Sequence, residues 1–250
     1  MAYPRVYSNA IVLPTMQVIV LGGSGNYFAP YGGVGTASSD PEVLAQPVLH
    51  PEIVDLEGPG AGVWRTLTPH ESARTYHNVA VLLPDGRIFH AGGYKGDSDI
   101  RQPLGPNHRC NVSDNTYSDV EIYTPPYLSP GARRPVIQQA PAIANYNSSI
   151  TVTVTLEDDD IPLDPATEIE YGFLVRCAAV MHHFDWDQKS MKLDVLSRTA
   201  TTVTFAPLPS LANNGSAILP PGYYMLFVVR RPNATVGWRV PSVAKFVQVI

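Results

Sequence analysis

Residues 73–93 read ARTYHNVAVLLPDGRIFHAGG. Residues 79–83 are apolar and β-branched, Pro84-Asp85-Gly86 is a turn signal, and residues 88–91 resume the apolar run, so the stretch predicts a β-hairpin. An earlier copy, YPRVYSNAIVLPTMQVIVLGG, spans residues 3–23. Arg5, Tyr7 and Asn9 align with Arg74, Tyr76 and Asn78, and the diglycine Gly22-Gly23 answers Gly92-Gly93 with one residue inserted. Each copy leads to an acidic-apolar strand, Glu52-Ile53-Val54 in the first and Glu121-Ile122-Tyr123 in the second. A period of about 70 residues suits a four-stranded propeller blade with an extended loop. A diglycine after a strand is the kelch signature, because glycine permits close strand approach and unusual backbone angles. The Gly/Ser/Pro-rich residues 24–46 read as a surface loop.

Beyond residue 128 the pattern changes. Residues 129–135 are rich in Pro, Gly and Arg and read as a linker. Short alternating strands follow at 149–156, 169–175, 192–197, 201–206, 223–229 and 244–249, the pattern of a Greek-key or immunoglobulin-like sandwich. The expected fold is all-β: a partial kelch-type propeller of about two blades over residues 1–130, then a β-sandwich over 131–250. The 24 Pro and 19 Gly supply the punctuation that many short strands need.

The 250 residues are 44% hydrophobic and 16% charged, a globular composition. A formal net charge of −5 without a Lys/Arg cluster argues against nucleic-acid binding. No apolar run has membrane-span length, and nothing in the first residues reads as a signal peptide. Four N-x-S/T triplets, at Asn111, Asn147, Asn214 and Asn233, lean toward a secreted, extracellular protein. The two cysteines, Cys110 and Cys177, can pair or stay free.

Among the seven histidines, His90 sits in an apolar strand and reads as a satisfied core or sheet residue. His50, His70 and His108 lie in loops and are assigned no role. His77 follows Tyr76 at a strand start, and His182-His183 opens a loop after the apolar strand YGFLVRCAAV. Two imidazoles and a phenolate brought together from distant loops would make a nitrogen/oxygen site suited to Cu2+. A bound metal would also favour deprotonation of the phenol. The bland reading of the same residues is that Tyr76 packs and both histidines lie on the surface. Residues 157–160, Glu-Asp-Asp-Asp, are an acidic turn that could hold Ca2+ weakly but read first as a solvated loop. No GxSxG elbow, P-loop or Rossmann fingerprint occurs.

Several motifs in order give the chain a resemblance to a known family. RTYHNVAVLLPDGRIFHAGG, EIYTPPYL, Arg176 with His182 and Asp187-Gln188, LPPGYYMLFVV and PSVA resemble the C-terminal part of the copper radical oxidases, the galactose oxidase and glyoxal oxidase family. The resemblance implies that Tyr76 is an axial tyrosine that takes the substrate's alcohol proton. It implies that His77 and His182 are copper ligands, with His183 as the alternative registration. It implies two-electron oxidation of a primary alcohol, aldehyde or sugar, with O2 reduced to H2O2, by a protein that is monomeric at full length.

In that family a second tyrosine, crosslinked to a cysteine, forms the radical, and it lies well upstream. The 75 residues before Tyr76 contain no Cys. The copper site is therefore expected to be incomplete in this chain, with further blades and a signal peptide upstream, because two blades leave open sheet edges. The competing reading is a non-catalytic kelch/sandwich module that binds carbohydrate or protein.

Overall fold

The computed structural model describes residues 1–25, 47–75, 77–93, 110–111, 116–117, 119–156, 168–232 and 237–250. Tyr76, His108, the acidic turn at 157–160, most of the 24–46 loop, Asn233 and the side chains of Cys110 and Asn111 lie outside the described residues. The chain forms two compact units. One comprises residues 1–82, 88–123 and 178–186, the other residues 83–87, 124–177 and 187–250. Among the described residues no helix is long and apolar enough to cross a membrane.

The first unit holds the repeat. Strands β1 (Asn9–Leu13), β2 (Gln17–Leu21), β3 (Glu52–Asp55) and β4 (Trp64–Thr66) form a four-stranded antiparallel sheet in sequence order. Strands β5 (Asn78–Leu82) and β6 (Ile88–Gly92) form the hairpin expected from residues 73–93. The short pair β7 (Cys110–Asn111) and β8 (Thr116–Tyr117) follows, and β9 (Val120–Tyr123) then pairs with β6. Alternating burial in β5 puts Asn78, Ala80 and Leu82 inside and leaves Val79 and Val81 half-buried. These consecutive meander sheets are the partial propeller.

A charged clamp recurs at a spacing of 69. Arg5 donates to the Gly22 carbonyl at 3.2 Å, the His50 carbonyl at 2.9 Å and Glu52 at 2.7 Å. Arg74 donates to the Gly92 carbonyl at 2.9 Å, the Asp119 carbonyl at 3.3 Å and Glu121 at 2.9 Å. In each sheet, the arginine before the first strand ties the end of the second strand to the third. The residues that align in sequence thus have matching work in the structure.

The two copies also touch. The Gly23 amide donates to the Arg74 carbonyl at 2.7 Å. Gly22 has φ +66°, and a Cβ there would lie 2.9 Å from the Arg74 carbonyl oxygen. The first diglycine is therefore needed both for backbone angle and for the approach of the second copy.

The second unit is the sandwich. Its strands are β10 (Pro135–Gln139), β11 (Ile143–Ala144), β12 (Ile150–Leu156) and β13 (Ile169–Arg176). After a hairpin described below (β14, Val180–Met181; β15, Phe184–Asp185), the chain continues through β16 (Ser190–Arg198), β17 (Thr202–Phe205), β18 (Gly222–Arg230), β19 (Val240–Pro241) and β20 (Lys245–Val249). The order β10-β12-β17-β16-β13-β18-β20-β11 curls around one core. Strand β16 serves both halves, pairing with β13 over Ser190–Asp194 and with β17 from Val195 on, across a bulge between Val195 and Ser197. Ile150, Val152, Val154, Val203, Phe205, Leu174, Leu226, Val228, Val247 and Val249 fill the core. The predicted strands of this region match the observed ones to within two residues.

Gly172, in the centre of β13, has the Phe205 ring lying over it. A Cβ on Gly172 would meet three ring carbons at 2.9–3.0 Å. Gly172→Ala is expected to cost about 1–3 kcal/mol by overpacking, read as a lower urea midpoint at constant slope.

Candidate metal centre

His77 sits at φ 65°, in the turn that enters β5. Asn78, fully buried beside it, fixes that turn. Its amide nitrogen donates to the carbonyls of Tyr7 at 2.9 Å and Thr75, and its oxygen accepts from Asn9. The second imidazole comes from far along the chain. Between β13 and β16 the chain makes an excursion, residues 178–186, which belongs to the first unit. There β14 and β15 pair as Val180–Asp185 and Met181–Phe184, leaving His182-His183 as a two-residue loop. Both loop residues have positive φ, 53° and 57°. That is the backbone of a type I′ hairpin turn, which His tolerates better than most side chains.

The hairpin is closed by the Trp186 amide donating to the Ala179 carbonyl at 3.1 Å, and by the Ala179 amide donating to Asp185 at 3.0 Å. It packs through β14 against β5 and through β15 against β1.

The structure brings His77 and His182 together. Their rings are perpendicular with centroids 5.0 Å apart, and both are exposed. His183 turns instead to Tyr7, with centroids 5.2 Å apart. Burial holds the His183 imidazole below its usual pKa, and the neighbouring His182 and His77 add to the effect. Tyr7, His77, His182 and His183 are four of the seven non-glycine residues at positive φ among the described residues. Such strained backbone gathered at one place is characteristic of functional sites. Two imidazoles that face one another suit a nitrogen-ligated cation such as Cu2+. The third candidate, Tyr76, lies outside the described residues.

Other histidines are placed differently from expectation. His50 stacks on Tyr3, with centroids 5.5 Å apart and planes within 2°. His70, read as a loop residue without a role, is buried, and burial lowers its pKa to about 4. His90 is buried in β6 as expected, but only half of its ring is satisfied. Nε2 meets Asn78 Oδ1 at 3.2 Å, while Nδ1 has no partner. Cys177 is exposed and in no disulfide.

Residues 134–249 match the family described as Galactose oxidase-like, Early set domain. The sandwich is a galactose oxidase-like early set domain. Similarity extends through the whole chain. It is 28% identical to the aldehyde oxidase GLOX of Vitis pseudoreticulata, covering 100% of this chain and 42% of that protein. It is 26% identical to a galactose oxidase of Gibberella zeae, covering 99% of this chain and 30% of that protein. Among solved structures, a fungal alcohol oxidase of the AA5 family in complex with copper superposes with a TM-score of 0.69 at 28% identity. That match covers 100% of this chain and 43% of the other. The early set domain and the partial propeller before it are thus homologous to galactose and aldehyde oxidases, and the chain spans less than half the length of each of these relatives.

Proposed function

We propose that this chain is part of a secreted copper radical oxidase that converts a primary alcohol or aldehyde and O2 to the oxidised product and H2O2. Residues 1–130 would be its kelch-type propeller part and 131–250 its early set sandwich. The observation that carries the reading is the perpendicular pairing of His77 with His182, whose hairpin leaves the sandwich strands and packs on β1 and β5. Homology along the whole chain to aldehyde, galactose and alcohol oxidases supports it.

Copper, when bound, supplies a one-electron redox couple beside the substrate. His77 and His182 would hold it through neutral imidazole nitrogens, and the Tyr76 phenolate would complete the donor set and accept the substrate's hydroxyl proton. The two imidazoles fit this role because both are exposed to an incoming ligand while their backbone turns are fixed by Asn78 and by the β14–β15 hairpin. With no cysteine before residue 110, this chain does not supply the cysteine-linked tyrosine of the family.

Chain 1–250 is therefore expected to bind Cu2+ weakly, with an electron paramagnetic resonance signal showing nitrogen ligation, and to show no oxidase turnover. His77→Ala and His182→Ala should each weaken binding by about tenfold or more, while His183→Ala leaves it within about twofold. Cu2+ binding by the His77→Ala and His182→Ala variants as tight as that of the unaltered chain, or steady H2O2 production from alcohols by this chain, would sink the assignment.

A further inference from the structure

Because the two sheets repeat, a departure from the repeat stands out. In the first sheet Val20 lies opposite Glu52 in the ladder, and in the second His90 lies opposite Glu121. The clamp arginine and glutamate are kept, yet a valine position has become an imidazole. Residues opposite one another across a ladder share a face. His70 joins them. Its ring is perpendicular to that of His90 with centroids 5.0 Å apart, and its Nδ1 is 3.9 Å from Glu121 Oε2. One donor atom from each of His70, His90 and Glu121 lies within 4.8 Å of the other two.

The hydrogen bonds fix where the lone pairs are. Both Asn78 amide hydrogens go to backbone carbonyls, so its oxygen faces His90, and His90 Nε2 must donate to it. The His90 lone pair is therefore on Nδ1, which is buried and without a partner. His70 Nδ1 lies 2.8 Å from the Ser72 carbonyl and must donate to it, so the lone pair is on Nε2. Of the two carbonyls beside this ring, Ser72 and Val48, only that of Ser72 is met in hydrogen-bonding geometry, and Nε2 has no partner.

Glu121 has spare capacity as well. Its Oε1 accepts from the amides of Glu71 and Ser72, and its Oε2 accepts from Arg74 Nε. A carboxylate offers about four lone-pair sites, so one remains. Asp119 and Glu121 together outweigh the single positive charge of Arg74. Two buried imidazole lone pairs left unmatched are a cost that a cation would remove.

We propose that His70, His90 and Glu121 form a second metal site, separate from the His77–His182 pair, for a first-row divalent cation of the zinc type. Two imidazoles and one carboxylate are a zinc donor set. Donors about 2.0–2.2 Å from one ion lie roughly 3.3 Å apart, so binding draws the side chains closer and turns His70 Nε2, rather than the Nδ1 that lies 3.9 Å from Glu121, toward the ion. Burial keeps both histidines below their usual pKa and therefore in the neutral, ligating form at neutral pH. The site joins β6 and β9 of one sheet to the segment that precedes β5, so its role is to brace that sheet.

The test uses the chain carrying His77→Ala and His182→Ala, stripped with EDTA, loaded with Zn2+ and desalted. About one equivalent of zinc should remain, and Co2+ in its place should give visible absorption of a four-coordinate site. His90→Val in the same background restores the residue that the first sheet uses at this position and should abolish retention. His70→Gln should weaken binding by about tenfold or more. Retention of less than about a tenth of an equivalent by the background protein would overturn the site, as would equal retention with His90→Val and His70→Gln.

Discussion

Arg74→Met lowers the free energy of unfolding by about 3–5 kcal/mol, the expected result when one member of a buried ion pair is removed. Arg74 is fully buried and donates to Glu121, Asp119 and two backbone carbonyls. Methionine matches its length but carries no donor. The Glu121 side chain, only 15% exposed, would be left charged with its guanidinium partner gone. Urea unfolding followed by circular dichroism reads the loss as a shift in midpoint. Arg74→Met with Glu121→Met should recover a good part of it, because the stranded charge leaves too. A loss below about 1 kcal/mol in the single variant would show that the clamp is a surface-like pair of little consequence.

Phe205→Ala should cost a similar amount, about 3–5 kcal/mol, for a different reason. The ring has no exposed surface, lies in the centre of the sandwich core and covers Gly172. Truncation leaves a cavity between β17 and β13 that no neighbouring side chain from Gly172 can fill. Phe205→Leu should cost less, and Gly172→Ala, harmful alone, should become neutral or helpful beside it, because the added methyl enters the vacated space. Thermal melts of the four proteins check this coupling. Strict additivity would mean that the ring and the glycine do not share the space the structure gives them.

The longer strands of both units are legible because period-two alternation and diglycine punctuation are local signals, whereas short ones such as β11, β14, β15 and β19 carry too few residues to show a period. The repeat was legible too, down to the alignment of Arg5 with Arg74. The pairing of each arginine with the glutamate of the third strand was not, since it spans 47 residues and depends on sheet register. The sequence places His182-His183 at the opening of a loop, where the structure has the tip of a hairpin. A type I′ turn normally advertises itself by Asn-Gly or Asp-Gly, and two histidines in left-handed geometry give no such signal. His70 and His90 were missed for the opposite reason. Each looks ordinary in its own segment, and only the folded sheet sets them against Glu121. The equivalence of Val20 and His90 rests on the strand registers, each residue lying opposite the clamp glutamate of its own sheet.

The hairpin at 178–186 has a consequence for biosynthesis. His77 and His182 are 105 positions apart, and at about 5–20 residues per second the ribosome adds the second roughly 5–20 seconds after the first. During that interval the faces of β1 and β5 that receive the hairpin are made but uncovered. The nascent chain is then exposed to wrong pairing and in need of chaperone cover. Closure of the long intervening segment carries an entropic penalty that a local hairpin does not. Docking of this hairpin is thus a late event in maturation, and a metal held by both imidazoles can be loaded only after most of the chain has been made.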